Sequence, residues 1–246
     1  MKKWIFLFCV CAVYVNAVPF YKTPSVEAAY EWLQAQKIDE VTEEDRPYVL
    51  SLAATFIAQI IKVHPEYIEC FAQNFAHFSP QKQLVFWQAF STLGIQDLRI
   101  QGTEVCHITP LSKLNNLKFK TGHDFDLMVV SFFATGDELF LSQPMAFLNS
   151  DPELLFFAYE WNNRQYITEL LKQLTGQTEL PDEAEFSAIL HSWPQKKQEQ
   201  FVLRLAAWKC LDLIKSEDPS AEEKISQLCK TNQALDYQGT LSKILN

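Results

Sequence analysis

The segment Arg46–Val63 constrains the fold most strongly, because it is apolar on almost every side of a helix. At 3.6 residues per turn, its polar side chains Ser51, Thr55 and Gln59 fall four residues apart and form one narrow stripe, which Lys62 extends. A helix with so little polar surface needs other helices around it. The sequence therefore predicts an all-α protein, either an irregular helical bundle or a short solenoid of antiparallel helical hairpins around this buried helix.

The N-terminus has the three parts of a secretory signal peptide. Lys2 and Lys3 precede an apolar run, and the small-residue motif Val-Asn-Ala ends at Ala17. We expect residues 1–17 to be removed, which leaves 18–246 as a single all-α domain in the periplasm or outside the cell. No later apolar run reaches the ~18 residues needed to cross a bilayer, so no membrane span is expected in the mature chain.

The charge balance argues against nucleic acid as a partner. The net charge is −9, and the loss of Lys2 and Lys3 with the signal peptide takes it to −11, since residues 1–17 contain no acidic residue. An acidic chain without a basic run binds nucleic acid poorly. The 48% apolar content excludes a disordered chain.

Proline and glycine mark where the helices start and stop. Proline follows a capping side chain or His64 at five places, which is typical of the first helical position: Thr23-Pro24, His64-Pro65, Ser79-Pro80, Asp151-Pro152 and Asp218-Pro219. Glycines 94, 136 and 176 are placed to end helices. The pattern predicts roughly nine helices. Beside the segment above, they cover about 24–36, 65–78, 80–93, 152–174, 195–214 and 222–230, with shorter ones around 186–193 and 241–245.

Residues 95–122 break the helical pattern and can divide the domain into two packed lobes, 18–94 and 123–246. The segment carries four basic side chains in an otherwise acidic chain: Arg99, Lys113, Lys118 and Lys120. A connection this long inside a compact domain tends to be functional. An ordinary connection with a solvated face is the alternative.

The sequence Phe-Ala-Thr-Gly-Asp at residues 133–137 lies between two apolar segments. It resembles an inter-helix turn of uncharacterised exported all-helical bacterial proteins. The resemblance implies that Gly136 ends one helix and Asp137 caps the next, and it implies no activity. The capping preferences of the two residues predict the same local structure.

No catalytic or metal-binding motif is present in the sequence. No two histidines lie three or four residues apart, and the mature chain contains no C-x-x-C, G-x-S-x-G or phosphate-binding glycine loop. We therefore predict no metal and no cofactor. Candidate binding residues are two histidines near the irregular segment, one lysine and two aromatic residues: His107, His123, Lys118, Phe119 and Trp161.

The positions of the cysteines suggest one disulfide. Cys210 and Cys229 lie on consecutive predicted helices, so they are the candidate disulfide in an oxidising compartment. The alternative is that each is a small buried hydrophobic residue.

Two main functions fit these observations, and a purely structural role in the cell envelope is also compatible with them. The first is an exported helical scaffold that binds a protein or peptide partner without catalysis. The alternative is a hydrolase-type enzyme with its site near residues 95–122, in which His107 or His123 takes part.

Overall fold

The computed structural model describes residues 19–100, 109–151, 154, 188 and 190–231. The described part of the chain is α-helical and contains no β-strand, which confirms the predicted all-α class. Its helices are α1 (Val26–Ala35), α2 (Arg46–Val63), α3 (Tyr67–Asn74), α4 (Pro80–Thr92), α5 (Leu111–Leu114), α6 (Gly122–Thr135), α7 (Leu139–Asn149), α8 (Gln195–Glu217) and α9 (Pro219–Thr231). Short 3₁₀ turns cover Phe20–Lys22, Ile38–Glu40 and Phe75–His77.

Helix α2 lies at the centre of the packing, as its sequence predicts. Every residue from Val49 to Ile61 is buried, including the polar stripe Ser51, Thr55 and Gln59. Its main neighbours are α4 and α6, and α6 in turn packs on α7 and α8. One apolar core includes side chains from the N-terminal turn to α9.

Helices α2 and α6 run parallel, with the polar stripe of α2 facing α6. Ser51 contacts His123 and Gln59 contacts Ser131, and both pairs are 72 residues apart in sequence. Equal offsets of this kind require the two helices to advance in the same direction. Their N-terminal ends therefore lie at the same end of the bundle.

Most predicted helix ends agree with the structure to within a few residues. The Ser79 hydroxyl accepts the N–H of Lys82 at the start of α4. Gly136 ends α6 in the left-handed conformation (φ 68°), and the Asp137 carboxylate accepts the N–H of Leu139 at 2.9 Å. The start of α1 differs, because Ser25, not Thr23, caps it. At the start of α6, Asp124 forms a capping box with Thr121.

Some predictions lie outside the described residues. The predicted helices 152–174 and 241–245 and most of the predicted helix 186–193 belong to this group, as does the predicted signal peptide. Within 95–122, the described residues contain the short helix α5 and the first residue of α6. The division into two lobes stays a prediction, although α2 and α6, one from each predicted lobe, pack directly on each other.

Candidate functional site

The structure places three of the five predicted binding residues. Lys118 is exposed, and Phe119 is half-buried. The Phe119 ring is stacked on Phe125 with a centroid separation of 4.2 Å. His123 lies in the first turn of α6. His107 and Trp161 lie outside the described residues. Among the described residues, no hydrogen bond or ring contact joins Phe119 to His123.

His123 belongs to a polar cluster at the N-terminal ends of α2 and α6, which we call the Ser51–His123 cluster (Tyr48, Ser51, His123 and Asp126). His123 Nε2 lies 3.2 Å from Ser51 Oγ, and the ring of Tyr48 lies 4.5 Å from the imidazole ring between centroids. The Tyr48 hydroxyl donates a hydrogen bond to the Asp126 carboxylate. Two side chains of α2 therefore contact the imidazole, and Asp126 of α6 accepts a hydrogen bond from one of them, Tyr48.

Burial lowers the pKa of His123, although the nearby Asp124 carboxylate opposes this shift. The imidazole is therefore neutral at pH 7 and has one donor and one acceptor nitrogen. Nε2 faces Ser51, whereas Nδ1 is buried without a hydrogen-bond partner among the described residues. No carboxylate of the described residues thus orients the ring through Nδ1.

A serine nucleophile needs a hydrogen bond to a histidine base and a third group that orients the histidine. The Ser51–His123 contact provides only the first of these. Two features weigh against catalysis. Ser51 is only 4% exposed, so a substrate has little access to its hydroxyl. It also lies inside α2, where backbone N–H groups are used in helical hydrogen bonds and cannot stabilise an oxyanion. The contact is better explained as a polar link between two buried helix faces.

A groove of about 390 Å³ lies where α4 ends and the chain turns away from it. Its walls are Trp87, Phe90, Ser91, Gly94, Ile95, Gln96, Asp97, Leu98 and Ile100. Leu98, on the rim, is 90% exposed. We call this feature the 87–100 groove.

Ion pairs link the outer wall of the 87–100 groove, which residues 95–100 form, to α3. The Arg99 guanidinium donates to Glu69 at 2.8 and 2.9 Å and to Asp97 at 2.9 and 2.7 Å. These bonds lower the pKa of the Glu69 and Asp97 carboxyls to about 2, so both are ionised at neutral pH. The turn 97–99 is thereby fixed to α3.

The sequence alone points to only part of the residues that line this groove. The sequence leaves two alternatives for the segment 95–122, a functional segment or an ordinary connection. Its first residues supply the outer wall of the groove, whereas the aromatic wall comes from α4. Trp87 and Phe90 are three residues apart just before Gly94, a spacing that core helices also have. Their position beside a groove depends on the path of the chain after Gly94, which has no local signal.

The disulfide prediction involves two packed helices, α8 and α9. Cys210 is buried in α8, and its thiol lies 3.5 Å from the carbonyl oxygen of Phe125 as a hydrogen-bond donor. The side chain of Cys229 lies outside the described residues. The pairing stays a prediction.

The described residues contain no group of three or more side chains suited to hold a metal ion. None of the helices among them has the length and apolar character that crossing a bilayer requires. Comparison with known proteins gives no match to a family model, a curated protein or a solved structure.

Proposed function

We propose that this protein is an exported helical scaffold that binds an apolar segment of a protein or peptide partner in the 87–100 groove, without catalysis. The observation that carries the proposal is the groove itself, with aromatic and aliphatic walls and an exposed leucine on its rim. Export is inferred from the signal-peptide pattern that ends at Ala17.

The dimensions of the groove favour side chains as its occupants. Its volume of about 390 Å³ lies near the lower end of the ~300–1,000 Å³ range of ligand pockets. Such a space can hold a few large apolar side chains. Burying them against Trp87 and Ile95 stabilises the complex by about 25 cal/mol for each Å² of apolar surface removed from water. Covering Leu98 adds to the same gain.

The rigidity of the wall favours binding as well. Arg99 pairs with both Asp97 and Glu69, so ion pairs link the turn that carries Leu98 to α3 in the absence of a partner. A preformed wall lowers the entropic cost of binding. Ser91, Gln96 and Asp97 supply polar groups that can orient a peptide backbone.

The test begins with selection of short peptides from a displayed random library on the full mature chain. Affinities of the selected peptides are then measured for the wild type, for Leu98→Lys and for Val63→Lys. Val63 is the matched control, because it is the other large hydrophobic residue that is exposed among the described residues (49%), at the end of α2. We expect Leu98→Lys to weaken binding about tenfold or more and Val63→Lys to leave it unchanged. Failure to select any peptide, or equal affinities of all three proteins, would contradict the proposal.

A hydrolase is the second candidate, and the Ser51–His123 contact is the observation that favours it. Its test measures turnover of a panel of activated esters and amides by the wild type, Ser51→Ala and His123→Gln. The scaffold proposal predicts no turnover that depends on either side chain. Turnover that both substitutions reduce by about 100-fold or more, in proteins that remain folded, would favour the enzyme.

A further inference from the structure

Arg204 is a buried arginine without a carboxylate partner among the described residues. It lies in α8, and only 3% of the residue is exposed. Ion pairs of the described residues involve other cations. Burial of a guanidinium is unfavourable unless hydrogen bonds and opposite charge compensate for the lost hydration.

The protein satisfies only part of the hydrogen-bonding capacity of this guanidinium. Nη1 donates to the carbonyl and side-chain oxygens of Gln200 at 3.1 and 3.2 Å, and Nη2 donates to Ser150 Oγ at 2.9 Å. The guanidinium carbon lies 4.9 Å from the centroid of the Phe147 ring. Nε is buried and has no partner among the described residues. An arginine has five N–H groups, so donors remain unused.

Asn149, the residue before Ser150 in sequence, has a second unused donor. Its Nδ2 is buried without a partner among the described residues, and Arg204 contacts Ser150. Both unsatisfied groups are N–H donors, so the group that would satisfy them is a hydrogen-bond acceptor. Ser150 itself is exposed, which places solvent beside the cluster.

Two sources of negative charge lie near Arg204, and neither accepts a hydrogen bond from its Nε. The carboxylate of Asp151 raises the pKa of Arg204 against the stronger lowering effect of burial, but it accepts the N–H of Leu154 at 3.1 Å. The C-terminal end of α7 also has partial negative charge. Both stabilise the cation, and both reduce the affinity for an added anion.

We propose that Arg204 and Asn149 form a binding site for a small oxyanion, a carboxylate or phosphate group, beside Ser150 at the end of α7. Guanidinium groups bind such groups through two parallel N–H donors, and Nε is the nitrogen of Arg204 without a partner among the described residues. Phe147 supports one face of the guanidinium, and Gln200 and Ser150 fix its orientation.

The experiment uses the full mature chain and three sodium salts at equal ionic strength: acetate, phosphate and chloride. Isothermal calorimetry and thermal unfolding are measured for the wild type, Arg204→Met, Asn149→Ala and Arg99→Met. Arg99→Met is the matched control, because the Arg99 guanidinium already donates to Asp97 and Glu69. We expect acetate or phosphate to bind saturably and raise Tm in the wild type and in Arg99→Met. Arg204→Met abolishes this response, and Asn149→Ala weakens binding several-fold.

The two salts distinguish the chemistry of the ligand, because a carboxylate site responds to acetate and a phosphate site to phosphate. If Arg204→Met does not fold, Arg204→Lys replaces it, since it keeps the charge and loses the planar pair of donors. A Tm rise that chloride reproduces would overturn the proposal. So would the absence of saturable binding in the wild type, or its persistence when Arg204 is replaced.

Discussion

Lys22 donates a hydrogen bond to the buried carboxylate of Asp218 across 196 residues of sequence. The Tyr21 hydroxyl donates to the other oxygen of the same carboxylate. Asp218 also precedes Pro219 at the start of α9, and one of its oxygens accepts the N–H and the hydroxyl of Ser220. A single carboxylate therefore joins the N-terminal turn to the junction of α8 and α9.

We expect Asp218→Asn to destabilise the fold by about 2–4 kcal/mol, because it removes the charge that the Lys22 ammonium pairs with and weakens several hydrogen bonds at once. Urea unfolding at pH 7 measures the loss. The control is Asp212→Asn, an exposed aspartate in α8, which ends just before Asp218. Equal stabilities of the two variants would show that the carboxylate does not anchor the N-terminal turn.

The same carboxylate predicts an acid-dependent loss of stability. Burial alone raises the pKa of Asp218, but hydrogen bonds from Lys22, Tyr21 and Ser220 outweigh it and lower the pKa to about 2. The unfolded value is about 3.9, so this stabilisation is complete above pH ~4 and is lost as the pH falls toward 2. The difference in unfolding free energy between wild type and Asp218→Asn is expected to shrink over that window. A difference that stays constant from pH 5 to pH 2 would exclude the linkage.

Comparison of Gly136 with Gly94 tests how closely the Tyr21 ring packs against Gly136. Both have positive φ, at 68° and 71°. A Cβ on Gly136 would lie 2.6 Å from Cδ2 of the Tyr21 ring, whereas a Cβ on Gly94 would meet nothing within 4 Å. Asp218 holds the Tyr21 hydroxyl, so the ring cannot move aside freely.

Gly94→Ala is expected to cost about 1–2 kcal/mol through its backbone conformation alone. Gly136→Ala adds the collision with Tyr21 and is expected to cost at least about 1 kcal/mol more. Thermal unfolding of the two variants provides the comparison. If Gly94→Ala is as destabilising as Gly136→Ala, the proposed contact with Tyr21 has no energetic effect.

His123 predicts a second pH dependence, at milder acidity. Its folded pKa is lowered by burial, so the unfolded chain, with a pKa near 6.5, takes up a proton first. The stability therefore falls as the pH drops below about 6.5 toward the folded pKa. His123→Gln is expected to flatten the decline between pH 7 and pH 5, and His77→Gln, at an exposed position, to leave it unchanged. A wild-type slope that survives in His123→Gln would refute this assignment.

The disulfide prediction has a direct chemical test. If Cys210 and Cys229 are joined, alkylation of the unfolded, unreduced protein after export leaves both unmodified. Mass spectrometry of peptides then finds the linked pair, and adding reductant releases two thiols. Alkylation of Cys210 without reductant would contradict the pairing and favour its alternative role as a buried hydrophobic residue.

Local sequence patterns predicted the helices, whereas contacts between distant segments were not predictable. The apolar character of Arg46–Val63 fixes its burial, and the preferences of Ser79 and Gly136 fix helix ends, because these signals act within a few residues. The Ser51–His123 contact depends on the parallel packing of α2 and α6. No residue spacing in the sequence encodes that direction.

The contacts that form the candidate sites were not predictable from the sequence either. His123 is a candidate from its position near the irregular segment 95–122, yet its structural neighbours are Ser51 and Tyr48 from another helix. Arg204 gave no signal, because an arginine in a long helix is ordinarily exposed. Its burial follows from the packing of α8 on α7, which only the tertiary structure determines.

The most direct test of peptide binding in the 87–100 groove is an NMR titration of residues 18–246 with a selected peptide. The indole resonances of Trp87 and Trp32 are observed together. Trp87 lines the groove, whereas Trp32 is buried and stacked on Phe56 at 3.8 Å between centroids. Peptide binding in the 87–100 groove predicts a saturable shift of the Trp87 resonance and none of the Trp32 resonance. Binding that leaves the Trp87 resonance unshifted would contradict it.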